Sequence, residues 1–408
     1  MRLRKAIAWT MLGNIVVAAS QWGNVVVLAK FSTNTNIGYY AFAQAIVYPL
    51  SAFFNLQLRR LQVTDQKGEV SFSSYFLFAK WSGLIALFFA CSFGIFAEKN
   101  VVDFLPIVVL IASIKVIEGL SGVCYGTLQL NNNMRAVAIS VMLRSIVSII
   151  SFTLMIYQGY PLWMACSAVL IVWIFVFCIY DKNIVKQYLT QKHDIRTKQK
   201  EIRTIIRLGL PLGLIILLNQ LHLSLPRYVL KIFTSIEDVG VYAAIASLVA
   251  IGSVFMNSVG QAVLPQMAKS FSQRNLKEFL FLFLCLLGFA LFVGTGAITL
   301  SILAGKEILI FLYSNKFSSQ SGLFSWIMMA GSAWYISGAF GQALTAMRKF
   351  TSQAWLTGIV VVITLSVSWL TVPWNGTVGA AQGLMVGAII KLLVQSGQLI
   401  FYVRPSRS

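Results

Sequence analysis

Residues 27–41 read VLAKFSTNTNIGYYA, and residues 229–243 read VLKIFTSIEDVGVYA. At a constant offset of 202, Val27, Leu28, Phe31, Gly38, Tyr40 and Ala41 return as Val229, Leu230, Phe233, Gly240, Tyr242 and Ala243. In both places an apolar run ends, a short polar turn follows and a second apolar run begins. A recurrence of this kind marks a duplicated structural unit. Whatever the first copy builds, the chain builds twice.

The runs on either side of each copy decide what is built. The chain has 408 residues, of which 58% are hydrophobic and only 11% charged, with mean hydropathy +0.79. Soluble domains carry about 25% charged residues, and repeated apolar runs of about 20 residues read as membrane-spanning helices. The expected fold is therefore an all-α polytopic membrane protein of twelve transmembrane helices. The spans fall near 6–30, 36–58, 73–97, 103–130, 135–158 and 160–181, then 204–231, 238–265, 277–303, 319–347, 350–372 and 376–403. The first run follows Met1-Arg2-Leu3-Arg4-Lys5 and continues to about Leu28, too long for a cleaved signal, so a retained helix is expected.

A Lys- and Gln-rich polar segment follows Asp181 at the midpoint. It divides the chain into an N-terminal six-helix bundle (1–181), a basic cytoplasmic linker (182–203) and a C-terminal six-helix bundle (204–408). An even span count gives both bundles the same orientation, so a pseudo-two-fold axis along the membrane normal is expected. That is the architecture of a transporter that rocks about a central cavity.

Net charge is +20, from 32 Lys and Arg against 12 Asp and Glu. The charge is spread over short loops, which argues against nucleic acid as a partner. With both termini cytoplasmic, twenty-three basic residues, Arg59 among them, fall on the cytoplasmic side against five opposite, as the positive-inside rule requires. The five cysteines, Cys91, Cys124, Cys166, Cys178 and Cys285, lie in apolar segments without paired spacing and are expected as small buried packers. No P-loop, nucleophile elbow, metal-ligand cluster or nucleotide-binding glycine fingerprint is present, so neither an enzyme nor a cofactor is expected.

The four remaining cations, Lys115, Arg144, Arg227 and Lys391, lie inside apolar helices with one acid, Glu118. A charge in hydrocarbon costs several kcal/mol, so such groups face a partner or a water-filled path. Four cations against one anion point to an anionic cargo. Lys115 and Glu118 lie one turn apart, with Gly122, Tyr125 and Gln129 following on that side. The pair is either a neutralised packing element or part of a cavity. Arg144 and Lys391 lie too deep to snorkel and have no acid in their own helices, so they are the expected phosphate clamps. Lys391 shares a stripe with Gln395 and Gln398. Arg227, near the outer end of its span, either snorkels or meets ligand.

Further polar stripes follow helical spacing: Asn14, Gln21 and Asn24 in the first span, Gln44, Tyr48, Ser51 and Asn55 in the second, Asn257 and Gln261 in the eighth. Singly these are inter-helix glue; together they suit a hydrated, sugar-compatible cavity. His222 is expected to be structural, and His193, in the linker, carries no signal.

Three stretches resemble a known family: LAKFSTNTNIGYYAFAQAIVYPLSAFFNLQLRRLQVTD (28–65), GLPLGLIILLNQLHLSLPRYVLKIFTSIEDVGVYAAIASL (209–248) and GKEILIFLYSNKFSSQSG (305–322). They are similar to O-antigen-type oligosaccharide flippases, the polysaccharide-transporter branch of the multidrug/oligosaccharidyl-lipid/polysaccharide exporter superfamily. The resemblance implies a bacterial inner-membrane flippase for undecaprenyl-pyrophosphate-linked repeat units of O-antigen, capsule or exopolysaccharide, working by alternating access through a cationic cavity. Membrane lipids, and the polymerase and chain-length proteins of the same pathway, are the other partners it allows. Arg144, Arg227, Lys115 and Lys391 match the family's cationic cavity by location. Related drug exporters use acidic residues early in the chain, where this one has Asn14, Gln21 and Asn24. Two other readings stay open: export of a drug or another lipid-linked precursor, and a membrane-embedded polysaccharide polymerase.

Overall fold

The computed structural model describes residues 2–65, 69–188, 195–347 and 349–403. Among these the chain is helical from end to end, with no strand. The first half holds α1 (Arg2–Phe31), α2 (Asn34–Asn55), α3 (Leu58–Thr64), α4 (Phe72–Ala97), α5 (Val101–Leu130), α6 (Met134–Tyr157), α7 (Leu162–Val176) and the short α8 (Lys182–Lys186). A five-residue π-helical segment, Phe177–Asp181, joins α7 to α8. The second half holds α9 (Ile195–Phe233), α10 (Ile236–Ser272), α11 (Leu276–Leu303), α12 (Gly305–Leu312), a 3₁₀ turn at Asn315–Gln320, α13 (Ser321–Ala346) and α14 (Phe350–Val403).

Among the described residues, nine stretches are long and apolar enough to cross a membrane. To these add α5 and α13, 30 and 26 residues long; at about 1.5 Å per residue both exceed the roughly 30 Å hydrocarbon core. The twelfth span comes from α14, which is two helices. Gly376 adopts φ 52° and ψ −128°, a conformation open to glycine and costly for other residues. The chain doubles back there: Thr371 Oγ1 donates to Gly379 O at 2.8 Å, and Asn375 Nδ2 reaches Gln382 Oε1 at 3.1 Å. Gly379 and Gly383 let the two arms touch, since a Cβ on either would strike the Thr371 backbone or Ser368 Oγ. Twelve spans in two six-helix bundles result.

Helix starts follow capping chemistry. The side chain of Thr33 accepts from Asn36 N, that of Ser71 from Ser74 N and that of Asn133 from Ala136 N. Ser235 and Asp238 form a reciprocal capping box on α10. Thus the polar turns of the two repeats, Ser-Thr at 32–33 and Thr-Ser at 234–235, are helix punctuation.

Two compact units emerge, Met1–Ser224 and Leu225–Ser408. In the first, α1 packs on α6, α4 on α5, α2 on α4 and α5, and α7 on α5 and α6. In the second, α13 packs on α10, α11 and α14. The division differs from the expected 204 boundary. The stretch expected as a linker is helical on both sides of residues 189–194, and the start of α9 is built into the first unit. Ile205 joins that unit's core with Leu58, Tyr75 and Val123. Glu201 Oε2 accepts from Ser71 N at 2.9 Å and from Ser71 Oγ at 2.6 Å. Gly209 and Gly213, one turn apart, form a notch for α2: a Cβ on either would come within 2.8 Å of Leu56. Missing side chains, together with the Glu201–Ser71 bonds and Ile205, fasten this helix.

The five cysteines are free. Cys124 and Cys166 are buried as expected, but Cys178 and Cys285 lie on exposed faces, because apolar helices also present outward faces. His222 is buried, and His193 lies outside the described residues.

Candidate functional site

A cavity of about 600 Å³ opens within the first unit. That lies in the range of small-molecule sites. Its walls come from side chains at helical spacing: Ser20, Gln21 and Asn24 of α1; Tyr40, Gln44, Tyr48, Ser51 and Asn55 of α2; Lys115, Glu118, Gly122 and Tyr125 of α5; Arg144 of α6; Trp173 of α7; and Gln220 of α9. Intervals of three and four put such residues on one helix face. Asn24 Nδ2 donates to Tyr40 OH at 3.4 Å, tying the first two spans together.

Lys115 Nζ donates to Glu118 Oε2 at 2.6 Å and lies 4.3 Å from the Tyr48 ring centroid. The ammonium is therefore neutralised within its own helix while still bordering the cavity.

Arg144 differs from expectation. Its Nη2 donates to Asp181 Oδ2 at 2.7 Å, with both side chains buried, and to Ser121 Oγ at 2.9 Å. Ser140 Oγ donates to Asp181 Oδ1 at 2.5 Å and pairs with Tyr125 OH at 2.8 Å. The indole of Trp173 covers the guanidinium at 4.2 Å. Glu118 is thus not the only carboxylate within an apolar helix: Asp181 lies inside the apolar stretch Leu162–Lys186. The cause is local. A π-helical turn inserts an extra residue into the helical ladder and redirects the side chains that follow it. Helical periodicity cannot register such an insertion, so by sequence Asp181 is the last residue of the sixth span, at its cytoplasmic end. The available signal was Arg144 itself, since a guanidinium at that depth needs an acid.

Arg59 is the cation that sequence reasoning missed. It borders the cavity, yet it entered the charge count only as a topological marker. Its Nε and Nη2 both donate to one oxygen, Gln129 Oε1, at 3.2 and 3.0 Å, and the Tyr125 ring lies 5.7 Å away. Among the described residues no carboxylate lies within salt-bridge distance. The joint before it explains the placement. Leu56 and Gln57 are consecutive left-handed residues, φ 48° and 56°, which turn the chain from α2 into α3. Gln62 then docks α3 on α5 through Thr127 Oγ1 at 2.9 Å, in a space that Gly126 leaves open.

Of the expected site residues, the cavity gathers Gln21, Asn24, Gln44, Tyr48, Lys115, Glu118 and Arg144. Asn14 is exposed on α1, outside this lining. The other four belong to the second unit. Lys391 is half-buried, with Nζ 3.8 Å from the Trp334 ring centroid and no carboxylate at salt-bridge distance among the described residues. In its stripe, Gln395 is buried and accepts from Ser337 Oγ at 2.7 Å. Arg227 is half-buried near the end of α9, while Asn257 and Gln261 are exposed on α10. No group of three His, Cys, Asp or Glu fit to hold a metal occurs among the described residues.

Twelve spans and a polar, cation-bordered cavity within the first unit define a polytopic membrane protein with a built internal chamber. The fold is similar to that of the lipid II flippase MurJ in its inward closed conformation, at TM-score 0.79 and 16% identity, over 98% of this chain and 88% of that one. A Vibrio cholerae MATE transporter matches at TM-score 0.65 and 13% identity, over 100% and 97%. An inward-facing MATE transporter of the MOP superfamily matches at 0.62 and 16%, over 98% and 96%. The profile of the polysaccharide biosynthesis protein family matches residues 3–271, and the chain belongs to that family. A curated relative, the capsular polysaccharide biosynthesis protein CapF of Staphylococcus aureus, is 25% identical over 390 residues, covering 95% of this chain and 97% of that protein.

Proposed function

We propose that the protein is a flippase that carries a lipid-linked oligosaccharide, through its pyrophosphate headgroup, across a bacterial inner membrane by alternating access. The family, the capsular relative and the flippase fold support the cargo class. The observation that carries the reading is the composition of the cavity wall. Amides from α1, α2 and α9 and the Tyr48 and Trp173 rings offer hydrogen bonds and flat faces to sugars. Three cations, Arg59, Lys115 and Arg144, stand against two acids, Glu118 and Asp181. One positive charge remains for the anion.

In this reading capsule, O-antigen and exopolysaccharide units are all admissible cargo, and both termini are cytoplasmic, as the basic-residue bias requires. Lys391, over Trp334, is a cation of the second unit with no carboxylate at salt-bridge distance among the described residues. Export of a cationic drug fits poorly with a surplus of positive charge. The test is chemical. A deletion strain should accumulate a lipid-linked repeat unit on the cytoplasmic leaflet, and the purified protein in proteoliposomes should expose that lipid on the opposite face. Normal surface polysaccharide in the deletion strain, with no accumulated lipid, would overturn the assignment.

A further inference from the structure

We propose that Arg59 takes the anionic headgroup, and that Gln129 is its positioning residue, a neutral stand-in that the phosphate displaces. The proposal rests on the flippase reading and adds to it the atom group that receives the charge.

The other two cations of this cavity are satisfied by acids, Lys115 by Glu118 and Arg144 by Asp181. An anion binding there must first displace a carboxylate. Arg59 asks for less. One amide oxygen, Gln129 Oε1, accepts from both Nε and Nη2, the edge that guanidinium offers to carboxylate and phosphate oxygens. A neutral oxygen occupies an anion's place. The amide oxygen offers the guanidinium only a dipole, whereas a phosphate oxygen adds attraction between full opposite charges in the same bidentate geometry, so the phosphate outcompetes the amide.

The guanidinium is also held where an incoming ligand can find it. Leu56 sits in the Gly209/Gly213 notch, Gln57 continues the left-handed turn, and Gln62 fixes α3 to Thr127. Arg59 therefore follows α3, and little side-chain freedom is lost when the partner changes from amide to phosphate. Such preorganisation favours binding.

The experiment uses the full chain in detergent with geranylgeranyl pyrophosphate, inorganic pyrophosphate and geranylgeraniol as probes, read by thermophoresis alongside thermal melting. Wild type should bind the prenyl pyrophosphate, more weakly in high salt, and not the alcohol. Gln129→Glu places a carboxylate on Arg59; it should weaken binding at least about tenfold with an unchanged or raised melting temperature. Arg59→Gln should remove binding, and Arg59→Lys should restore only part of it. A Gln129→Glu variant that melts and binds like wild type would make Gln129 simple helix glue and overturn the proposal, leaving the flippase reading intact. Binding of inorganic pyrophosphate with the prenyl form excluded would overturn the lipid source. A wild type that binds neither pyrophosphate would overturn both readings.

Discussion

Asp181 accepts from Arg144 at 2.7 Å across 37 residues of chain, with both side chains almost fully buried. The π-helical segment that ends on Asp181 makes the pair possible, and the pair converts an isolated intramembrane guanidinium into a structural bond between α6 and the end of α7.

Removing one partner leaves the other charge uncompensated in apolar surroundings. Asp181→Leu and Arg144→Met should each destabilise the protein by about 3–5 kcal/mol, whereas the double variant should recover much of that loss. Thermal or denaturant unfolding in detergent checks the cycle. Additive losses would show that the two side chains do not act as a pair.

The notch under Leu56 predicts a suppressor. Gly213→Ala places a Cβ 2.7 Å from Leu56 Cδ2 and 2.9 Å from Phe53 O, and overpacking of this kind costs about 1–3 kcal/mol. Leu56→Gly alone should also destabilise, because a buried leucine is lost. It relieves a left-handed φ and vacates the notch, so the combined variant should be more stable than the two costs summed. Melting temperatures of the three variants decide it.

Cavity charge, rather than any one pair, should govern transport. Lys115→Met leaves Glu118 unpaired and lowers the wall's net charge, so surface polysaccharide should fall severalfold in complementation. Glu118 is 47% exposed, so stability should change by no more than about 1 kcal/mol. Lys115→Met with Glu118→Gln restores the balance and should restore export. Failure of the double variant to recover would assign Lys115 an individual role.

In the second unit, Trp334→Leu removes the face that Lys391 covers. A cation–π contact of this kind is worth about 0.5–2 kcal/mol. The expected readout is a matching drop in unfolding free energy, abolished when Lys391→Met is already present.

The span pattern was legible because hydrocarbon forces backbone groups to pair within helices, and a helix long enough to cross announces itself in apolar residues. The first cavity wall was legible for a related reason: Gln21 and Asn24, or Gln44 and Tyr48, recur at intervals that share a face. What periodicity could not carry were the irregular positions. Asp181 needs a π turn to reach Arg144. Arg59 needs two left-handed residues to swing from the end of α2 into the cavity. Gln129 falls in the Lys115 stripe by spacing, but its bond to Arg59 spans 70 residues. The Lys115–Glu118 pair is legible because both lie one turn apart on one helix, whereas the acid beside Arg144 and its absence beside Arg59, among the described residues, depend on contacts between helices.

α9 belongs to both units, and this limits how the gene can be cut. Fragments separated at 204, where hydropathy alone divides the halves, would split a continuous helix and strip the first half of Ile205, Gly209 and Gly213. A cut within 189–194 spares the helix but leaves the second fragment carrying residues 195–224, whose packing partners lie in the first. Co-expressed pieces should therefore assemble where separately purified ones aggregate, because the halves that hydropathy divides share one helix.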